Sequence, residues 1–309
     1  MIYDIRHLTT YKYESPVSFA HCALRLLPID GPGQALLASR LSIDPDPVEM
    51  DERICFFGNR VTSITLDKPH RELKIDARSS VDVDRAAAPD AEGSEPWEEV
   101  RDAAFSASSL TSGSPSHFLH PSRFVPRFQP AAEYARTSFG PGRSALAGAM
   151  EFMRRIRADF RYDPRATVVS TPLSEAFEKR RGVCQDFAHI MIAGLRGLGL
   201  PAAYVSGYIR TIPPEGQPRL EGADASHAWA AIWCGPEFGW LHLDPTNAIF
   251  VGNDHIVVAF GRDYADVSPV DGVIRGGGKQ DLQVAVEVKA LESAEKPARS
   301  EPPVEPKLI

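Results

Sequence analysis

Three side chains in this sequence are of the types that together perform nucleophilic chemistry: Cys184, His227 and Asp244. A thiol attacks a carbonyl only as its thiolate, so it needs a neighbour that accepts its proton and surroundings that favour negative charge. Cys184 opens an apolar stripe of Val183, Phe187, Ile190, Met191, Gly194 and Leu198 at helical spacing, which Gly199, Leu200 and Pro201 end. A helix beginning at Cys184 sets the thiol against partial positive charge and unpaired backbone N–H groups. An imidazole can take the thiol proton and later hand it to a leaving amine. A carboxylate on the second ring nitrogen fixes the tautomer and orientation. The set therefore predicts thiol attack on an amide carbonyl.

The elements around these residues must bring them together. Residues 226–233 and 240–244 read as strands joined by Gly235-Pro236-Glu237-Phe238-Gly239. Strand alternation puts His227, Trp229, Ala231 and Trp233 on one face of the first strand, and Trp240, His242 and Asp244 on one face of the second. With Trp233 opposite Trp240, Asp244 faces Trp229 and has His227 as its diagonal neighbour. A slip of two residues sets Asp244 directly opposite His227. Both registers leave imidazole and carboxylate within reach.

Upstream, Ala145, Ala149, Phe152, Met153, Ile156 and Phe160 predict a helix, and residues 202–209 a buried strand. Before these, residues 1–85 hold short strand-like runs about ten residues apart, punctuated by Pro and Gly. That spacing predicts an antiparallel β-sandwich, with Gly58-Asn59 as a tight hairpin turn between residues 53–57 and 60–66. Residues 86–140 read as a connector, 141–290 as the core with further C-terminal strands, and 291–309 as a disordered tail rich in Pro and charge. The expected class is α+β, a sandwich followed by a mixed core.

Composition narrows the function classes. The 309 residues hold 34 basic and 41 acidic side chains, a net charge of −7, which disfavours a nucleic-acid partner. The four cysteines are scattered, without a CxxC pair, which excludes a small disulfide scaffold and most structural zinc sites. No apolar run approaches the roughly 18 residues of a membrane span. Asp4 and Arg6 stand where a signal peptide needs apolar residues. The expectation is a cytoplasmic protein with reduced thiols, acting on a peptide or protein amide, with no membrane partner and no cofactor. Cys22, Cys55 and Cys234 read as small packed hydrophobes. Trp229 and His242 are either walls of the site or packed core groups. A zinc site from Cys184, His227 and His242 lacks paired ligand spacing, so no metal is expected.

Read as motifs, the same residues resemble a known family. Arg181-Gly-Val-Cys184-Gln-Asp-Phe-Ala-His189 looks like the nucleophile motif of the bacterial transglutaminase-like proteins. Asp224-Ala-Ser-His227-Ala-Trp229 and Gly239-Trp-Leu-His-Leu-Asp244-Pro-Thr-Asn247 look like its histidine and aspartate motifs. The likeness continues through Arg262-Asp-Tyr264, and the first 85 residues resemble the domain that often precedes this core. The resemblance implies a papain-like core with a Cys-His-Asp triad and a thioester intermediate. Cys184 is then the nucleophile, His227 the acid and base, and Asp244 the orienting group. The backbone N–H of Cys184 is one candidate oxyanion donor, and Tyr162 is a candidate second donor or site-lining group. The family includes peptidases, amidases and cross-linking acyltransferases, so hydrolysis is expected first, acyl transfer to an amine second, and a non-catalytic scaffold third. The calcium-regulated members lead one to look for an acidic loop of calcium-ligand spacing, and none is read here.

Overall fold

The computed structural model describes residues 1–211 and 225–291. The expected loop at 213–222, Asp224 of the histidine motif and nearly all of the expected tail at 291–309 lie outside the described residues. The chain opens with β1 (Ile2–Leu24), β2 (Gln34–Asp44), β3 (Glu49–Ile54), β4 (Arg60–Leu66) and β5 (His70–Val83). Helices α1 (Trp97–Phe105), α2 (Gln129–Arg136) and α3 (Ala145–Asp159) follow. Next come β6 (Arg161–Tyr162), α4 (Leu173–Lys179), β7 (Arg181–Gly182) and α5 (Cys184–Gly197). The chain then runs through β8 (Ala202–Ile209), β9 (Ala225–Trp233), α6 (Gly235–Phe238), β10 (Trp240–Asp244), β11 (Ile249–Phe250) and β12 (His255–Gly261). It closes with α7 (Tyr264–Val267), β13 (Val270–Gly276) and β14 (Gln280–Ala290).

The fold is α+β. Its N-terminal unit is an antiparallel half-barrel of seven strands organised on β1. The first half of β1 lies between β5 and β14, and its second half between β4 and β13. Its pairing slips between Lys12 and Val17, around Pro16, which has no N–H to give a ladder. The two C-terminal strands thus complete the N-terminal sheet, although some 250 residues separate the partners. The hairpin between β3 and β4 differs from the expected two-residue turn. Strand β3 stops at Ile54, and residues 55–59 make the connection, with Cys55 N–H donating to Asn59 O. Asn59 is drawn out of the turn by tertiary contacts described below.

The core sheet runs β11-β10-β9-β8-β12, antiparallel throughout. Helix α5 packs on one face of it. It is apolar on nearly every side and buried along almost its whole length, as suits a helix at the centre of a core. Residues 86–140 join the same core through Trp97 and Val100 of α1, Leu119, Val125, and Ala131 and Ala135 of α2. The buried Arg196 of α5 binds this segment to the far end of the sheet. It donates to the carbonyls of His120, Ala202 and Arg262 and to Ser122 Oγ.

The half-barrel and the core share apolar packing among Tyr3, Val81, Val83 and Val286 on one side and Tyr208, Ile256 and Val258 on the other. Two side-chain amides complete the joint. Strand β12 is a sheet edge, with backbone groups that lack a neighbouring strand. Gln34 Nε2 donates to Val257 O at 2.8 Å, and Val257 N–H donates to Gln34 Oε1 at 2.8 Å. Asn59 Nδ2 donates to Phe260 O at 2.8 Å, and Phe260 N–H donates to Asn59 Oδ1 at 2.7 Å. Each amide stands in for one residue of a missing strand. Asn59 is fully buried, so Asn59→Ala should cost about 2 kcal/mol in urea unfolding by orphaning both backbone groups. Asn59→Asp should cost more, because a carboxylate cannot donate to Phe260 O and carries charge into the interface. Equal midpoints for wild type and both variants would remove this account of the joint.

Candidate functional site

The nucleophile motif owes its shape to local contacts. Strands β6 and β7 pair in parallel, Arg161 beside Arg181 and Tyr162 beside Gly182, and deliver the chain to the start of α5. Asp186 in the first turn accepts from Val183 N–H at 2.8 Å and from Thr167 Oγ1 at 2.6 Å. A Cβ on Gly182 would stand 2.5 Å from the Asp186 carboxylate, so only glycine lets the strand end approach this cap. Burial raises the Asp186 carboxyl, and its two hydrogen bonds oppose that rise. The cap fixes where α5 begins, and hence where the half-exposed thiol of Cys184 sits.

The histidine and aspartate come from neighbouring strands in the first of the two expected registers, Trp240 opposite Trp233 and His242 opposite Ala231. His227 and Asp244 are buried and joined, His227 Nε2 lying 2.8 Å from Asp244 Oδ2. The Oδ2 atom also receives Asn247 Nδ2 at 2.7 Å and His255 Nε2 at 3.2 Å. The Oδ1 atom receives the backbone N–H groups of Thr246 and Asn247 at 2.9 and 3.2 Å. Burial alone would raise the carboxyl, but the hydrogen bonds from His227 and His255 lead the set that holds it far below the ordinary carboxylate range. Burial likewise would lower His227. Hydrogen bonds to Asp244 and to Cys184, and the charges of both, overcome that and raise the imidazole to about 10. With Nε2 turned to Asp244, Nδ1 is the nitrogen left for the thiol.

The remaining predicted residues fall in three places. Tyr162 is half-exposed and close enough to Cys184 for the sulfur's charge to add to the effect of burial in raising its phenol. Trp229 is fully buried behind the histidines, its ring edge-on to His255 at 5.3 Å and its Nε1–H donating to His242 Nδ1 at 3.1 Å. His242 stands beyond Trp229, where burial, Arg85 and His255 lower its imidazole to about 3. Gly207, opposite His227 on β8, makes this packing possible, since a Cβ there would meet the Trp229 ring at 2.5 Å. The other cysteines differ from Cys184. Burial raises the Cys22 thiol to about 11 and the Cys234 thiol to about 12, while Cys55 is half-exposed in the β3–β4 turn.

Two partners of Asp244 escaped the sequence reading. Asn247 closes the aspartate motif, and nothing in its spacing signals that its amide turns back onto Asp244. His255 begins a strand three positions away from β10 in the sheet, so no hairpin register could reveal it. His227, Asp244 and His255 bring possible metal-ligating atoms within 4.8 Å of one another. In that group the Nε2 atoms of both imidazoles are hydrogen-bonded to the same carboxylate oxygen.

The fold and this site define a transglutaminase-like, papain-like architecture, and the comparisons with known proteins agree. Residues 3–82 match the bacterial transglutaminase-like N-terminal region, and residues 132–245 match the transglutaminase-like superfamily. An uncharacterised protein of Mycobacterium tuberculosis is 38% identical over 301 residues, covering 94% of this chain and 93% of its own. One from Mycobacterium leprae is 32% identical, covering 92% and 97%. A protein-glutamine gamma-glutamyltransferase of Pseudomonas aeruginosa is 33% identical over 112 residues, which is 34% of this chain and 17% of that enzyme. A solved structure from Cytophaga hutchinsonii, named as a candidate cysteine protease, shares the fold with a TM-score of 0.73 at 22% identity, covering 97% of this chain and 94% of its own. The chain belongs to the bacterial transglutaminase-like family. No helix among the described residues is long and apolar enough to cross a membrane.

Proposed function

We propose that this protein is a thiol enzyme that cleaves amide or isopeptide bonds through an acyl-enzyme on Cys184. One observation carries the reading: the buried His227 imidazole stands between the Asp244 carboxylate, 2.8 Å away, and the sulfur of Cys184 at the first residue of α5. An imidazole so held, hydrogen-bonded to the Cys184 sulfur, is placed to take the thiol proton as the sulfur attacks. The sulfur attacks the carbonyl carbon, and the developing oxyanion meets N–H groups of the first helical turn, which lack intrahelical acceptors. Collapse breaks the C–N bond, and His227 gives its proton to the departing amine. Water then attacks the thioester carbonyl and passes a proton to His227; the C–S bond breaks, the acid leaves, and the sulfur takes that proton back from His227. Asp244 orients the ring in every step. Cys184 is partly buried with the exposed Tyr162 nearby, so solvent water can reach an acyl group held there. Acyl transfer to an amine is the second reading, favoured by the partial relatedness to the P. aeruginosa glutamyltransferase.

Alkylation tests the activated thiol, with Cys55 as a reference inside the same molecule. At pH 7, iodoacetamide followed by peptide mass spectrometry should modify Cys184 at least about tenfold faster than Cys55, with His227→Ala abolishing the difference. Equal rates in the wild type would sink the proposal. A peptide amide pool with and without a dansylated alkyl amine separates the acceptors. Hydrolysis should exceed label incorporation, and the reverse result favours the second reading.

A further inference from the structure

A cavity of about 600 Å3 lies where the half-barrel, the 86–140 segment and the core sheet meet. Its walls come from the loop at 29–34 and from Phe57, from Ser112 and Gly113, and from β10, β11 and β12. Cys184, His227 and Asp244 are absent from the lining, and the wall residue His242 is linked to that group through Trp229. The volume is that of a pocket for a small organic ligand. Most of the surface is apolar, with Phe57, Trp240, Leu241, Val257 and Phe260 offering aromatic and branched contacts. Asp30, Gly31, Asp84 and Gly113 stand exposed at the rim, so the cavity opens to solvent.

Two polar groups in this apolar wall are donors with hydrogens left over. Arg85 Nη1 donates to His255 O at 2.6 Å and Gly252 O at 3.1 Å, and Nη2 to Gln34 Oε1 at 3.2 Å. Its Nε–H and one Nη2 hydrogen have no acceptor among the described residues, and no carboxylate there lies within ion-pair distance of the guanidinium. Among the described residues the guanidinium donates only to carbonyl oxygens, and Asp30 and Asp84 stand at the exposed rim rather than against it, so the positive charge there has no paired carboxylate. His242 is the second donor. Its Nδ1 accepts from Trp229 Nε1–H, so the neutral ring carries its proton on Nε2, which has no partner among the described residues. A cation and an N–H donor in an aromatic-lined chamber complement one ligand chemistry, a carboxylate on an apolar body.

We propose that this cavity is a binding site, distinct from the thiol site, for amphipathic monocarboxylates. The carboxylate sits on Arg85 and the Nε2–H of His242, and the aromatic or alkyl body lies against Phe57, Trp240 and Phe260. Two sources share this chemistry, a free organic acid and the C-terminus of a short peptide. The test is calorimetric titration of the full chain with 4-phenylbutanoate, decanoate and N-acetyl-leucyl-phenylalanine, each against its primary amide. At least one acid should bind at one site per chain and at least tenfold more tightly than its amide. Whether the acyl-peptide or the simple acids bind best identifies the source. Binding should persist after Cys184 is alkylated, which separates this site from the thiol. Arg85→Met should reduce the acid-to-amide preference to below threefold. Because Arg85 also ties backbone carbonyls, Gly113→Trp provides a second variant. A Cβ at Gly113 meets open space, and the indole should occlude the mouth and weaken the acid at least tenfold without touching either donor. Absence of saturable binding by all three acids, amides bound as tightly as acids, or binding unaffected by Gly113→Trp would each overturn the proposal.

Discussion

Asp244→Asn is expected to lower turnover on an amide substrate by about 10³–10⁴-fold, the scale seen when a triad carboxylate elsewhere is replaced by its amide. The reason lies in the five donors aimed at this side chain. Both oxygens accept: Oδ1 from the backbone N–H groups of Thr246 and Asn247, and Oδ2 from Asn247 Nδ2, His227 and His255. An asparagine has one oxygen and one NH2 group, so one of these two clusters must face a donor. The backbone N–H groups cannot turn away, whereas the Asn247 amide can rotate and an imidazole can change tautomer. The new oxygen therefore settles on the Oδ1 side and the NH2 group points at His227. His227 Nε2 must then accept, which moves the ring proton to Nδ1, the nitrogen that the thiol needs as a base. The charge that raises the imidazole to about 10 disappears as well. Two measurements decide the matter. Iodoacetamide reactivity of Cys184 at pH 7 should fall with turnover, while near-ultraviolet circular dichroism stays native. A variant with native spectra and undiminished rates would show that Asp244 has no part in orienting His227.

The second large effect is a steep loss of stability in mild acid. His7, His189 and His242 are held neutral, burial lowering them to about 4, 3 and 3. The packing shows why. His7 lies between the hydroxyls of Tyr208 and Thr9, and His189 lies against Phe124 and Tyr204. In the unfolded chain each titrates near ~6.5. Below that pH the unfolded state binds more protons, so the stability fully present above 6.5 is lost as pH falls toward the folded values. His242 meets the cavity and contributes less, so the uptake is two to three protons, or about 3–4 kcal/mol per pH unit between pH ~6 and ~4. Over those two units the loss is about 6–8 kcal/mol, enough to unfold a domain at the lower end of the usual 5–15 kcal/mol. On the alkaline side the sign reverses. His227 has a raised value, so its contribution is full below ~6.5 and is lost as pH rises toward about 10. The raised Cys22 and Cys234 thiols add to that loss above pH ~9, where unfolded thiols ionise. Urea midpoints should therefore peak near pH 6.5–7. His7→Gln should shallow the acid limb by about one proton, and a midpoint that stays flat from pH 6.5 to 4.5 would refute the account.

The elements that carry the candidate site were legible because they rest on short-range rules. Helical periodicity located the start of α5 at Cys184, and period-two alternation put His227 and Asp244 on one face of adjacent strands. Gly58-Asn59 misled because turn chemistry is local and the Asn59 amide has a stronger claim elsewhere, on both backbone groups of Phe260. Trp229 and His242 lie on the strand faces expected for them, yet Trp229 is buried against the histidines and His242 lines the cavity beyond it, a distinction that alternation cannot make.

By itself the sequence determined the chemistry available and the elements that carry it: a thiol at a helix start, an imidazole and a carboxylate on paired strands, and an antiparallel unit before them. Those features depend on residues near one another in the chain or joined by one hairpin. The tertiary structure decided what surrounds them. His255 reaches Asp244 from three strands away, β13 and β14 return to pair with β1, and Gln34, Asn59 and Arg85 reach from the half-barrel to the edge of the core. The same long-range packing encloses the cavity beside His242. Backbone groups left unpaired at a sheet edge, and a carboxylate able to accept more bonds than its neighbours in sequence supply, take partners from wherever the fold brings them, and spacing along the chain carries no record of that choice.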